Sequence, residues 1–139
     1  MNAVIPFSLT DVSGKPRAFT GEGQSLVCFI KEDCPTCREV MPLLSELQDY
    51  LAGRLEFHVL GQTQEGNVVL ESEFSASFSI VDDSELKVSF ETDIETVPTM
   101  IWSDGAGSQK EVVGFDRMFF SLYYPFEQME GACDWFEGT

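Results

Sequence analysis

Positive charge is scarce in this 139-residue chain: 8 Lys and Arg stand against 24 Asp and Glu, for a formal net charge of −16. So acidic a chain repels phosphate backbones and anionic headgroups, removing the attraction on which most nucleic-acid and membrane-surface binding rests. Neither partner is expected. Long apolar runs are missing too: none approaches the roughly 18 residues needed to span a bilayer. The first residues, Met1 to Phe7, carry no basic stretch, and their apolar run breaks at Pro6, unlike a secretory signal. A cytoplasmic location is therefore expected, or a periplasmic or other extracytoplasmic one if a leader was removed. Cysteine occurs four times, too rarely for the disulfide scaffold of a small secreted protein. There is no internal repeat, low-complexity segment or Pro/Ser-rich linker, so one domain over residues 1–139 and a monomer are expected.

The chain does have the material for a core, with 43% hydrophobic residues and 12 Phe. Its charge is unevenly spread. Residues 1–63 sum to −3 and contain Lys15, Arg17, Lys31, Arg38 and Arg54, whereas residues 64–105 sum to −9 with Lys87 as their one base.

Ser25 to Ile30 is a continuous apolar run of strand length, the pattern of a strand buried on both faces. Val40, Leu43, Leu44, Leu47 and Leu51 recur at helical spacing, interrupted by Pro42 and ending near Gly53. Short extended pieces are expected around Phe7-Ser8-Leu9, on either side of a turn-rich Asp11 to Lys15. Further on, the pattern predicts strands over 55–60 and 78–81, helices over 67–74 and 84–90, and a hairpin of 99–102 with 111–113. A closing helical segment is expected within 115–129. Alternating strands and helices imply an α/β fold with parallel pairs joined by right-handed crossovers, and the hairpin adds an antiparallel edge.

Cys34-Pro35-Thr36-Cys37 stands between the buried strand and the long helix, the setting in which C-x-x-C reads as a redox pair. With Cys34 as N-cap, Pro35 falls at the first helical position, where its missing N–H costs nothing. Cys37 follows on the same face, close enough for a disulfide. The partial positive charge of the helix N-terminus favours a thiolate at Cys34. Lys31 and Arg38 act in the same sense, Glu32 and Asp33 in the opposite one, so these residues are expected to tune the thiol. A zinc site would need four ligands; outside the pair only Cys28, Cys133 and His58 remain, with no second C-x-x-C. No metal is expected. A pair of inert core cysteines is the other bland reading.

Several matches together resemble the thioredoxin superfamily, most closely its TlpA/ResA-type thiol-disulfide oxidoreductases, relatives of the AhpC/TSA peroxiredoxins. Pro6-Phe7-Ser8-Leu9-Thr10-Asp11 with Gly14-Lys15-Pro16 is similar to that branch's opening. Pro42, five residues after Cys37, stands where thioredoxins carry a proline in the helix. Phe78 to Asp82, Val97-Pro98-Thr99 and Val113-Gly114-Phe115-Asp116 resemble later landmarks, so the match covers about residues 6–125 and leaves a 126–139 tail. The resemblance implies a thioredoxin-like fold with an N-terminal extension, in which a central mixed sheet is flanked by helices. It also implies a cis Pro98 packed against the cysteines, and a Val97 backbone that binds a substrate segment by β-addition. Two positions depart from the pattern: Asp33 replaces a tryptophan before the first cysteine, and Cys28 replaces a buried aspartate that helps deprotonate the second.

The function these residues imply is exchange of disulfides with protein partners through Cys34 and Cys37, with no cofactor beyond that pair. A basic docking face on the partner would suit the acidic chain. Two alternatives stay open. One is a peroxiredoxin-like peroxidase, although Lys31 and Val27 occupy the positions where that family has Thr or Ser and Pro. The other is a non-enzymatic carrier of a soft metal on the same cysteines, with His58 as the one added ligand. His58 itself reads more simply as a core residue, and Cys133 as a free or resolving thiol.

Overall fold

A computed structural model describes residues 3–51, 53, 55–107 and 109–114. Phe7–Thr10 (β1) and Pro16–Phe19 (β2) form an antiparallel hairpin. There follow Ser25–Ile30 (β3), Pro35–Leu51 (α1), Glu56–Gly61 (β4), Gln64–Phe74 (α2), Val81–Asp82 (β5), Lys87–Glu91 (α3), Thr99–Ser103 (β6) and Gln109–Val113 (β7). The main sheet has the order β5-β4-β3-β6-β7. Strand β4 runs parallel to β3 and β5, while β6 is antiparallel to β3 and β7. The predicted mixed α/β sheet is thus present, and the N-terminal extension is the β1–β2 hairpin.

All six residues of β3 are buried. Leu26, Cys28 and Ile30 face α1 and meet its Val40, Met41, Leu44, Leu47 and Leu51. Val27 and Phe29 face the other way, toward Phe7, Phe19 and Val88. This alternation is why the sequence reads as an unbroken apolar run: each face of the strand has its own cover. Full burial of one such leucine contributes about 1.5–3 kcal/mol. Helix α1 continues through Pro42, whose missing N–H deprives the Arg38 carbonyl of its helical partner.

The hairpin turn is organised by Asp11. Its Oδ1 accepts from the Ser13 N–H at 2.9 Å and the Lys15 N–H at 3.1 Å, while Oδ2 pairs with Arg17 at 3.2 Å. Burial opposes the carboxylate, but the bonds from Ser13, Lys15 and Arg17 outweigh it and hold the carboxyl below its ordinary value. The hairpin is joined to the sheet by an Asp11–Val81 bridge and by the Val12 N–H, which donates to the Ile80 carbonyl at 2.9 Å.

Three boundaries differ from the sequence expectation by three residues. The strand expected over 78–81 is the two-residue β5, in which only Val81 and Asp82 pair with β4; the Ile80 N–H donates to Glu71 Oε2 at 3.0 Å and its carbonyl accepts from the Val12 N–H on the outer side. Phe78 and Ile80 are nonetheless buried against the α1 side of the core. Helix α2 starts at Gln64, three residues before the expected 67, because the Thr63 hydroxyl caps it by accepting from the Gly66 N–H at 3.1 Å. Helix α3 starts at Lys87 rather than 84, where the Asp83 carboxylate takes up the N–H groups of Val88 and Ser89. The expected closing helix within 115–129, Cys133 and the 126–139 tail lie outside the described residues.

Candidate active site: the cysteine pair at the start of α1

Strand β3 ends at Ile30, and residues 31–34 turn the chain into α1. The Cys34 N–H reaches the Lys31 carbonyl at 3.3 Å, and the Cys34 carbonyl accepts the first helical bond, from the Arg38 N–H at 3.1 Å. Cys34 is therefore the N-cap, as its spacing from Pro35 predicted. Its sulfur replaces the usual capping oxygen: the Cys37 N–H donates to Cys34 Sγ at 3.2 Å. Cys34 is half-buried and Cys37 fully buried, both as free thiols.

The Val97–Pro98 peptide is cis. Cys34 Sγ lies 3.6 Å from the Val97 carbonyl oxygen, so the loop before β6 and the start of α1 converge on that sulfur. Behind it, Cys37 Sγ accepts from the Lys31 N–H at 3.4 Å. Burial pushes the Cys37 thiol up, helped by the Cys34 sulfur and opposed by the Lys31 N–H. Cys28 lies on the same face of β3, and burial alone pushes its thiol up as well.

The charged neighbours are arranged differently from the simple opposition expected. Lys31 Nζ pairs with Asp33 Oδ1 at 3.4 Å, with both side chains largely exposed. Arg38 turns toward α2: Nη1 donates to the Glu32 carbonyl at 3.3 Å, Nη2 pairs with the Glu73 carboxylate, and the guanidinium lies 5.6 Å from the Phe74 ring centroid. Glu73 and Phe74 escaped the sequence reading, because no short-range spacing links them to a residue 35 positions away.

His58 sits on the opposite face of the sheet from Cys37, packed edge-on against Phe7 and Phe19. Its Nε2 pairs with Glu56 Oε2 at 2.8 Å, and its Nδ1 lies 3.4 Å from Arg17 Nη2. Burial lowers its pKa, with Glu56 acting against that shift. It is a core histidine, and the sheet separates it from the cysteines it would have to join as a metal ligand. Near the cis peptide, Asp93, Glu95, Thr96, Thr99, Glu111 and Val113 line a shallow, acidic depression.

No protein-family model matches the chain, and no curated protein matches it significantly. Solved structures do. StoA from Bacillus subtilis superposes with a TM-score of 0.73 at 18% identity, covering 94% of this chain and 100% of that one. A secreted Mycobacterium tuberculosis disulfide oxidoreductase homologous to E. coli DsbE gives 0.67 at 18% identity, covering 76% and 81%. The pneumococcal exposed lipoprotein thioredoxin from Streptococcus pneumoniae gives 0.69 at 16% identity, covering 86% and 99%. The sheet order, the cysteine pair at the head of α1 and the cis proline facing it, together with these likenesses, identify the fold as thioredoxin-like.

Proposed function

We propose that the chain is a thiol-disulfide oxidoreductase that exchanges disulfides with protein partners through Cys34 and Cys37. The observation that carries this reading is the asymmetry of the pair. Cys34 is accessible and capped by a main-chain N–H, while Cys37 is buried behind it and hydrogen-bonded to the same helix start. In the reducing direction the Cys34 thiolate attacks one sulfur of a partner disulfide, forming a mixed disulfide and releasing the other partner sulfur as a thiolate that takes up a proton. Cys37 then loses its proton and attacks Cys34 Sγ, which closes the Cys34–Cys37 disulfide and frees the second partner thiol. Two electrons leave the pair and the partner disulfide is reduced; the reverse sequence oxidises a dithiol.

Val97 and Pro98 would border the bound segment, with the Val97 backbone as its docking edge. Lys31 and Asp33 would set the electrostatics around Cys34, and Arg38 the geometry of the loop that leads to it. The acidic depression beside the cis peptide favours a partner with a basic docking face. No helix among the described residues is long and apolar enough to cross a membrane. The secreted and exposed neighbours favour the extracytoplasmic of the two expected locations.

The test is trapping. Cys37→Ser should accumulate mixed disulfides with partners and Cys34→Ser none, while the unaltered chain reduces insulin disulfides. Equal trapping by both variants, or peroxide consumption without insulin reduction, would overturn this assignment.

A further inference from the structure

We propose that Arg38 is a positioning residue, acting on Cys37 by bracing the 31–33 loop against α2 rather than by lending its charge to Cys34; this rests on the exchange reading above. The loop contacts both sulfur-bearing residues through its backbone. The Lys31 carbonyl receives the Cys34 N–H, and the Lys31 N–H donates to Cys37 Sγ at 3.4 Å. Whatever fixes the loop therefore fixes a main-chain donor on the Cys37 sulfur.

Arg38 holds the loop at the Glu32 carbonyl, and is itself held by Glu73 and by the face of Phe74 at the end of α2. A second contact comes from the start of the same helix. A Cβ built on Gly66 would lie 2.5 Å from Glu32 Cβ, so α2 approaches the loop as closely as glycine allows. Helix α2 is in turn tied to the sheet, where the Asn67 amide donates to the Gly61 carbonyl at 3.4 Å and the Glu71 carboxylate receives the Ile80 N–H. The path runs from sheet to α2, from α2 to Arg38, and from Arg38 to the loop that carries the Lys31 N–H.

Only a guanidinium can stack on a ring, pair with a carboxylate and donate to a carbonyl together; an ammonium keeps the charge but not the fork. Bracing and charge-lending therefore predict different orders of effect. If charge at Cys34 mattered, Arg38→Lys would resemble the unaltered chain, and Glu73→Gln would make Cys34 more reactive by freeing the cation. If the brace matters, both substitutions impair resolution by Cys37 and leave the first attack alone.

The experiment uses the reduced chain with Cys133→Ser in every variant and DTNB as the probe. The first TNB released reports attack by Cys34, and the second reports resolution by Cys37. Arg38→Lys and Glu73→Gln should slow the second phase about tenfold, the scale of a modest misplacement at a reacting centre, with the first phase unchanged. The pH midpoint of the second phase should also move up, because the Cys37 thiolate loses a donor. The other groups that act on that midpoint, Cys34 ahead of it and Cys28 on β3, are the same in every variant. A second phase in Arg38→Lys equal to the unaltered chain, or a faster first phase in Glu73→Gln, overturns the brace. Release of a single TNB by the unaltered chain overturns the exchange reading and the brace with it, whereas an intact second phase that ignores both substitutions overturns the brace alone.

Discussion

His58 shows how much of a residue's role depends on what faces it. Arginine can only donate, so the contact with Arg17 requires an unprotonated Nδ1, leaving Nε2–H to donate to Glu56. Protonation would place a hydrogen on Nδ1 against the guanidinium, in a pocket walled by Phe7 and Phe19. With the folded pKa below the ordinary 6.5, the unfolded chain binds the extra proton first as the pH falls. Stability should therefore be level in this respect above 6.5 and decline below it, before Asp11 and Asp82 lose their own contributions below the ordinary carboxylate value of 3.8. Urea midpoints measured across that range should show the decline in the unaltered chain and a flatter profile in His58→Gln; equal profiles would mean that the ring is not held neutral. Sequence alone marked His58 as a core residue from its isolation. It also placed Cys34 and Cys37 together at the start of α1, because a capped C-x-x-C is a local pattern whose geometry follows from helix pitch. The direction of Arg38 was not legible, since its sign of charge is visible in the sequence but its partners on α2 are not.

At the scale of elements, α2 shows propensity and packing in opposition. Alanine is favoured over glycine in a helix interior by about 1 kcal/mol. At Gly66 the added Cβ would meet Glu32 Cβ and Thr63 Oγ1, each at 2.5 Å, a separation at which atoms must move. Gly66→Ala is therefore expected to lower the melting temperature despite its better propensity, and to disturb the Thr63 cap that starts the helix. A gain in melting temperature would show that the loop yields at no cost. The strand expected over 78–81 was legible only in part: its alternation of apolar residues does bury Phe78 and Ile80, but only Val81 and Asp82 pair with β4, and apolar alternation does not mark where pairing begins. Strands β3 and β4, buried on both faces and paired along six positions, were legible almost to the residue.

For the whole molecule, the charge of −16 is better described by where it lies than by its size. Asp93, Glu95 and Glu111 line the depression near the Val97–Pro98 peptide, on the sheet face away from α1, and under the proposed exchange function their field would steer a basic partner to this end of the sheet. Exchange with a cationic disulfide peptide should slow as salt rises through the range where the Debye length falls below about 10 Å. A neutral peptide should be little affected, and equal salt dependence for both would remove the steering. The β1–β2 hairpin has its own effect at this scale. It covers Val27, Phe29 and Leu60 with Phe7 and Phe19, and its Asp11–Val81 bridge occupies the outer side of β5. Of the two outer strands of the main sheet, β5 is thus already engaged by the chain's own opening residues. The other, β7, presents exposed Gln109, Lys110 and Glu111, side chains that discourage pairing with a stray strand. The extension thus leaves no free outer edge at Val81, where a further strand would otherwise be able to add to β5.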